Sequence, residues 1–250
     1  RNRSLNALLR DVELPVGPDD LAVQPIDAEA VRDIFARLEF RTLLPRVFDA
    51  LGGDADEAST AEPTVAAPVA TEVDPAGARA WVDAQEGELA LTVTVEGGLP
   101  ARVGIASLDA AVEAPWSDDI AEALRDWLES DAPKVLTDAK PQVKALRRAG
   151  VALGGLSFDP ILAGWLVRPS FPDKTLGDLV GRYLDEKLPE ADPRQLVPET
   201  EGATPGQLGW YALRVTERIR EEMPASVAAV LTDIELPTLG ALADMELAGV

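Results

Sequence analysis

The sequence predicts an α/β domain in which strands come early, helices come later and short strands are interspersed among them. Two observations carry this prediction. Residues 88–107 alternate apolar and polar side chains at the period of a β-strand, on both sides of a Gly97-Gly98 turn. Several later stretches begin with a helix-capping residue and then repeat apolar side chains three and four positions apart.

The first strand of the predicted hairpin has one apolar face and one polar face with little charge. The apolar face comprises Leu89, Leu91, Val93 and Val95. The opposite face comprises Ala90, Thr92, Thr94 and Glu96. Gly97-Gly98 allows a tight turn, after which Val103 and Ile105 continue the apolar pattern. Where a nuclease sheet would carry paired carboxylates for metal, this face therefore offers threonines.

Composition excludes several kinds of chemistry. Hydrophobic residues make up 46% of the chain, which is enough for a core, but aromatic residues make up only 5%. Cysteine and histidine are both absent. Disulfides, thiolate or imidazole metal sites and serine–histidine hydrolysis are therefore excluded, and any metal site has to be built from carboxylates. The formal net charge of −21 makes the segment a poor clamp for nucleic acid.

No apolar run in the sequence suggests a membrane span or a signal peptide, so we expect a cytoplasmic protein with no membrane partner. The chain opens on Arg1 without a methionine and stops at Val250 just after a helical pattern. We expect both ends to be cuts through a longer protein.

The first 75 residues predict a small helical piece and a linker. Residues 1–10 carry several basic residues and no acidic one, and residues 27–38 read as a helix with Asp27 as its N-cap. Residues 49–75 lose all periodicity and are rich in Gly, Asp, Ala, Thr, Pro and Glu, which is typical of a flexible acidic linker.

Beyond the hairpin, capping signals place most of the helices. Ser117 caps a helix with a stripe of Ile120, Leu124, Trp127 and Leu128. Val135-Leu136 is a short strand candidate, and Pro141 is assigned to the first position of a helix that Gly150 ends. Asp159 and Thr175 cap two further helices, and residues 207–222, 226–231 and 234–249 complete the helical pattern.

The order of these elements resembles three consecutive modules of bacterial DNA polymerase I (family A). Residues 10–14 and 38–41 resemble the end of its 5′-nuclease domain, and residues 236–250 resemble the helix that opens its polymerase domain. Between them, the segments 136–140, 158–162, 175–179 and 183–184 resemble its proofreading 3′-5′ exonuclease domain. The implied domains are 1–48 for the end of the 5′-nuclease, 49–75 for the linker, 76–222 for an exonuclease-like domain and 223–250 for the start of the polymerase. The resemblance implies an RNase H-like mixed sheet flanked by helices.

The same resemblance implies that the exonuclease site is degenerate. In the family, an Asp-x-Glu pair on the first strand and two further carboxylates hold two divalent metals. The corresponding positions here are Thr92, Thr94, Gln142 and Val215. The family's late-helix tyrosine is retained as Tyr211. We therefore expect no catalytic, cofactor-binding or metal-binding residue in this segment.

For the parent protein the resemblance implies a DNA-directed DNA polymerase (a nucleotidyltransferase) with a 5′-nuclease. It would act in DNA replication, repair and primer removal, require Mg²⁺, work as a monomer associated with the nucleoid, and contact DNA through its flanking domains.

Alternative readings remain open at this point. Residual exonuclease activity would need Glu88 or Glu96 at the metal, with Asp138 or Glu217 in support. The segment could instead be a spacer or an acidic module that docks a partner. Tyr211 is either a nucleotide contact or a core residue, and Arg147-Arg148 either touch phosphate or end a solvated helix. Three N-terminal arginines could face DNA: Arg1, Arg3 and Arg10.

Overall fold

The computed structural model describes residues 66–170, 175–189 and 202–249, together with seven single residues between 17 and 47. The chain divides into two compact units, Arg1–Thr60 and Ala61–Val250. In the first unit the predicted cap at Asp27 is confirmed, because its Oδ1 accepts a hydrogen bond of 3.0 Å from the N–H of Ala30. The possible DNA contacts of Arg1, Arg3 and Arg10 lie outside the described residues.

The described part of the second unit contains a six-stranded mixed sheet, which confirms the α/β expectation. Its strands are β1 (Thr71–Glu72), β2 (Leu89–Glu96), β3 (Leu99–Ala106), β4 (Ala111–Pro115), β5 (Lys134–Val135) and β6 (Leu156–Phe158). Their order across the sheet is β1-β4-β3-β2-β5-β6. The pairs β2–β3 and β3–β4 are antiparallel, whereas β1–β4, β2–β5 and β5–β6 are parallel. The predicted hairpin is the β2–β3 pair.

The helices in the described part of this unit are α1 (Pro75–Asp83), α2 (Asp118–Leu128), α3 (Ala139–Arg148), α4 (Pro160–Val167), α5 (Leu176–Tyr183), α6 (Pro205–Glu222), α7 (Ala225–Val230) and α8 (Leu236–Ala248). A π-helical stretch, Leu231–Glu235, joins the last two into one continuous helical segment. Three of the predicted caps are confirmed: Ser117 on α2, Asp159 on α4 and Thr175, in a capping box with Asp178, on α5.

The alternation along β2 divides the core into two layers. Leu89, Leu91 and Val93 pack on one side of the sheet with residues of α1, α2, α3 and α8. Ala90 packs on the other side with residues of α4, α5 and α6. The two predicted faces of β2 are therefore real, and Thr92 and Thr94 lie on the α6 side.

Several sequence predictions are wrong in detail. Helix α3 begins at Ala139, so Pro141 is its third residue rather than its first, and α6 begins at Pro205 rather than at residue 207. The last ten residues of the predicted linker are not irregular throughout, because Thr71–Glu72 pairs with β4. A proline is tolerated within the first turn of a helix because its missing N–H has no intrahelical acceptor there.

By length and composition alone, one helical segment among the described residues could span a bilayer, Ala225–Ala248, of which 17% is buried. Four carboxylates lie along it: Asp233, Glu235, Asp244 and Glu246. Carboxylates are costly in hydrocarbon. Asp244 and Glu246 instead form ion pairs with α3, which favours a helix that packs on protein.

Candidate functional site

The four positions implied by the family lie on three adjacent elements. Thr92 and Thr94 belong to β2, Gln142 to α3 and Val215 to α6, and both helices contact β2. Helix α6 packs on the face of β2 that carries Thr92 and Thr94, whereas α3 packs on the opposite face and reaches β2 through Gln142. The side chains at the four positions are all neutral.

Gln142 is buried and makes three internal hydrogen bonds. Its Oε1 accepts from the backbone N–H of Val93 at 2.7 Å. Its Nε2 donates to the carbonyl oxygens of Thr137 at 2.6 Å and Asp138 at 3.4 Å. The amide oxygen and nitrogen thus point at β2 and at the start of α3, and both are engaged within the protein.

The two threonines are also part of the fold. The β2–β3 register shifts between Thr94 and Val95, and the hydroxyl of Thr94 accepts a 3.0 Å hydrogen bond from the N–H of Arg102. A side-chain oxygen therefore satisfies a backbone donor at the irregularity. Thr92 lies under α6 at Gly209, where a Cβ would be 3.5 Å from its hydroxyl oxygen.

Helix α6 approaches the sheet closely because both elements have glycines at the contact. A Cβ at Gly209 would lie 3.2 Å from the Cβ of Ala90 and 3.3 Å from that of Ala106. A Cβ at Gly104 of β3 would lie only 2.2 Å from the backbone carbon of Pro205. Backbone and small side chains thus occupy the space between β2, β3 and the first half of α6.

Helix α6 places core residues at Tyr211 and at Val215, the position implied for the last carboxylate. Val215 is fully buried, and Tyr211 is 3% exposed and packs edge-on against Trp210 with ring centroids 5.0 Å apart. Burial, together with the charge of the neighbouring Glu186, raises the pKa of Tyr211 above its ordinary value. Arg214 forms a bidentate pair with buried Glu186 at 2.8 and 2.7 Å. Tyr211 is therefore a core residue of α6 in this structure.

The carboxylates considered as substitutes do not assemble with these positions. Glu88 lies before the start of β2 and binds Arg220 through two hydrogen bonds of 2.7 and 2.9 Å, and it also accepts one from Ser157. Burial raises the pKa of Glu88, but the hydrogen bonds from Arg220 and Ser157 outweigh it and the net pKa is lowered. Glu96 and Glu217 are exposed, and Asp138 is the N-cap residue of α3.

The residues present do not fit the metal pair that the family implies. Divalent magnesium needs anionic oxygen ligands, whereas Val215 has no ligand atom and the oxygens of Gln142 and Thr94 already accept backbone N–H groups. Within residues 66–170, 175–189 and 202–249, no group of three or more Asp or Glu side chains is placed to hold a metal ion.

The basic end of α3 has a partner that sequence reasoning missed. Arg147 donates to the carbonyl of Gly240 at 3.0 Å and to Asp244 at 2.6 Å, and Arg148 donates to the carbonyl of Gly98 at 3.1 Å. Arg147 is therefore half-buried against α8 rather than solvated, whereas Arg148 is exposed at the end of α3, as the solvated helix end predicts. Lys140 and Lys144 bind Glu246, so ion pairs join α3 to α8. The basic spacing along α3 was visible in the sequence, but the acidic partners lie about a hundred residues away.

A family model described as the ribonuclease H-like domain of DNA polymerase I matches residues 108–191. Over its whole length the chain is 34% identical to DNA polymerase I of Mycobacterium tuberculosis, of which it spans 30%.

Two solved structures show the same fold. A polymerase-domain structure from M. smegmatis, in complex with DNA primer-template and dNTP, is 25% identical with a TM-score of 0.57, covering 71% of this chain and 32% of that one. Brucella melitensis NrnC is 13% identical with a TM-score of 0.53, covering 67% of this chain and 88% of that one. The expected RNase H-like fold is confirmed.

Proposed function

Because this chain belongs to the DNA polymerase I family, we propose that its exonuclease-like domain is a structural, proofreading-inactive module that links a 5′-nuclease to a polymerase. One observation carries this proposal. The four positions that the resemblance assigns to the family's carboxylates are Thr92, Thr94, Gln142 and Val215, and the side chains of Thr94, Gln142 and Val215 are engaged in hydrogen bonds or core packing. No anionic oxygen remains at these places to activate water or stabilise a leaving oxygen.

The proposal extends to the whole protein, of which the chain is a part. The parent would be a DNA-directed DNA polymerase that requires Mg²⁺, acts in repair and primer removal, contacts DNA through its flanking domains, and works as a cytoplasmic monomer. Residues 223–250 would open the polymerase domain. In support, Ile234, Leu242 and Met245 form an exposed apolar stripe on the helical segment that ends the described chain, and such a stripe suits a following domain.

The test of inactivity is an assay of 3′-end trimming. The purified 250-residue chain is incubated with single-stranded DNA and either Mg²⁺ or Mn²⁺. We expect no metal-dependent shortening above that of an EDTA control. Trimming that disappears in Glu96→Gln or Glu88→Gln would contradict the proposal, because it would trace activity to this chain rather than to a contaminating nuclease.

The linking role is tested in the parent protein by deleting residues 76–222. We expect lower stability and slower nick processing. A deletion variant with unchanged polymerase rate, stability and nick processing would remove the support for a structural role.

A further inference from the structure

The end of β2 has an open edge where β5 stops. β5 pairs with β2 only at Leu89 and Ala90. The N–H of Leu89 points to this side, since it donates to the carbonyl of Pro133 at 3.2 Å. N–H groups alternate between the two sides of a strand, so that of Val93 points to the same edge beyond the last residue of β5.

Gln142 supplies the hydrogen-bond acceptor that a longer β5 would have offered to the N–H of Val93. Its Oε1 takes the place of a backbone carbonyl at 2.7 Å from the Val93 nitrogen. Its Nε2 donates at 2.6 Å to the carbonyl of Thr137, which lies between β5 and α3. The orientation of the amide is fixed, because the Val93 N–H requires an acceptor and the Thr137 carbonyl requires a donor.

We propose that Gln142 is a positioning residue that closes the open edge of β2 and fixes the start of α3, so that the former metal site is held together without an ion. This inference rests on the proposed loss of the metal site. The position requires one neutral group that accepts on one side and donates on the other. A carboxylate, the side chain that the family implies here, meets only half of this requirement.

A consequence is that a single substitution of Gln142 by a carboxylate residue could not restore a metal site. An ionised carboxylate at position 142 would still accept from Val93, but it would set a negative oxygen against the carbonyls of Thr137 and Asp138. Without a cation to neutralise it, that arrangement is repulsive and buried. Replacing Gln142 by a carboxylate residue therefore lowers the stability of the domain, because no cation is bound there to compensate the new charge.

The charges around position 142 add to this cost. The carboxylate of Asp159 caps the same end of α3 through Asp138 and Ala139. On the opposite side of α3, Lys140 and Lys144 are already paired with Glu246 of α8. Residues 89–94 of β2 carry no charge. The introduced carboxylate would therefore have a raised pKa, and the stability lost at neutral pH would return as the pH falls through that value.

The test compares Gln142→Glu and Gln142→Leu in the 250-residue chain. At pH 7.5 we expect both to lower Tm by roughly 4–10 °C. Towards pH 5, Gln142→Glu should recover relative to wild type, because a protonated carboxyl can donate and accept, whereas Gln142→Leu should not. The matched control is Gln85→Glu, since Gln85 is half-buried and makes a single bond of 3.3 Å from its side chain to the carbonyl of Trp81.

Hydrogen exchange provides a second readout that needs no variant to be fully stable. In the wild-type chain the amide of Val93 should be protected although no strand covers it, and Gln142→Leu should speed its exchange at least tenfold. Exchange at Val93 as fast as at exposed amides in wild type would overturn the inference.

The two proposals fail separately. If Gln142→Glu matches the control at both pH values and the chain is inactive, only the role of Gln142 is overturned. If wild type shows metal-dependent trimming that is lost in Glu96→Gln, while Gln142→Glu still lowers Tm at pH 7.5 and recovers towards pH 5, only the proposed inactivity is overturned.

Discussion

Asp159 joins two helices through one buried carboxylate, and its titration should be visible in the stability of the domain. It is 1% exposed. Its Oδ1 accepts from the N–H groups of Ile161 at 2.9 Å and Asp138 at 3.2 Å, and its Oδ2 accepts from Ala139 at 2.8 Å. Burial raises the pKa of Asp159 to about 6, although these three hydrogen bonds favour the charged form.

The substitution Asp159→Asn keeps the size of the side chain and removes the titration. Since the folded-state pKa lies above the unfolded value of 3.8, the carboxyl contributes stability that is complete below pH 3.8 and lost as the pH rises through 6. At about 1.36 kcal/mol per pKa unit the full effect is about 3 kcal/mol, of which about 2 kcal/mol falls between pH 4.5 and pH 7.5.

Urea unfolding of wild type and of Asp159→Asn at these two pH values gives the free energy of unfolding of each protein. In the difference between the two proteins, the contributions of the other acidic groups cancel. The free energy of unfolding of wild type minus that of the variant should fall by about 2 kcal/mol from pH 4.5 to pH 7.5. The matched control is Asp74→Asn, at an exposed N-cap whose Oδ1 accepts from Gly77. A wild-type-minus-variant difference that stays constant over this range, as for the control, would refute the reasoning.

Two further predictions concern α8 and α6. Glu246 binds Lys140 and Lys144, which lower its pKa to about 2. The stability that these ion pairs contribute is therefore present above pH 4.5 and is lost as the pH falls through about 2. Glu246→Gln should speed hydrogen exchange in α8 at neutral pH while the control Glu217→Gln does not, and equal exchange in both variants would contradict the role of these ion pairs. Gly209→Ala should lower the free energy of unfolding by about 1 kcal/mol or more, because its Cβ would meet two buried alanines. Gly240→Ala, whose Cβ meets only Arg147 at 3.8 Å, should raise it by up to about 1 kcal/mol, and equal urea midpoints for the two variants would contradict the close packing of α6.

The parts of the fold that were predictable from sequence have local signals. The alternation from Leu89 to Glu96 predicts both the strand and its two faces, because the direction of a side chain depends only on its own position in a strand. Ser117, Asp159 and Thr175 predict helix starts for the same reason, since each accepts from an N–H two or three residues further along the chain. These strand and capping patterns do not depend on the tertiary contacts that the rest of the chain makes.

The strands β1 and β4 were missed because their stability comes from partners. Thr71–Glu72 is only two residues long and exists through its register with Val112 and Glu113. Ala111–Pro115 alternates poorly in hydrophobicity and lies between β1 and β3, where backbone pairing on both sides holds it. No local pattern marks a strand that is defined by its neighbours.

The resemblance proposes positions for the candidate site, but it gives none of the contacts that these side chains make. The resemblance to the family assigns Thr92, Thr94, Gln142 and Val215, and the fold places them on β2 and on the helices that contact it. The bond from Val93 to Gln142 joins residues 49 positions apart, and the contact of Gly209 with Ala90 depends on how closely α6 lies on the sheet. Both follow from tertiary packing, which the sequence of either segment alone does not contain.

The nature of the four replacements bears on why the domain would be kept. Carboxylates gathered around two metal ions repel one another once the ions leave, so a site of that kind weakens the fold that holds it. Val215 adds apolar packing, Thr94 satisfies the N–H of Arg102 at the β2–β3 irregularity, and Gln142 closes the edge of β2. Under the proposal of an inactive domain, these three residues would each replace a repulsive group by an internal contact. A domain that only holds α3 against α8 would gain from that change, whereas a nuclease would lose its chemistry by it.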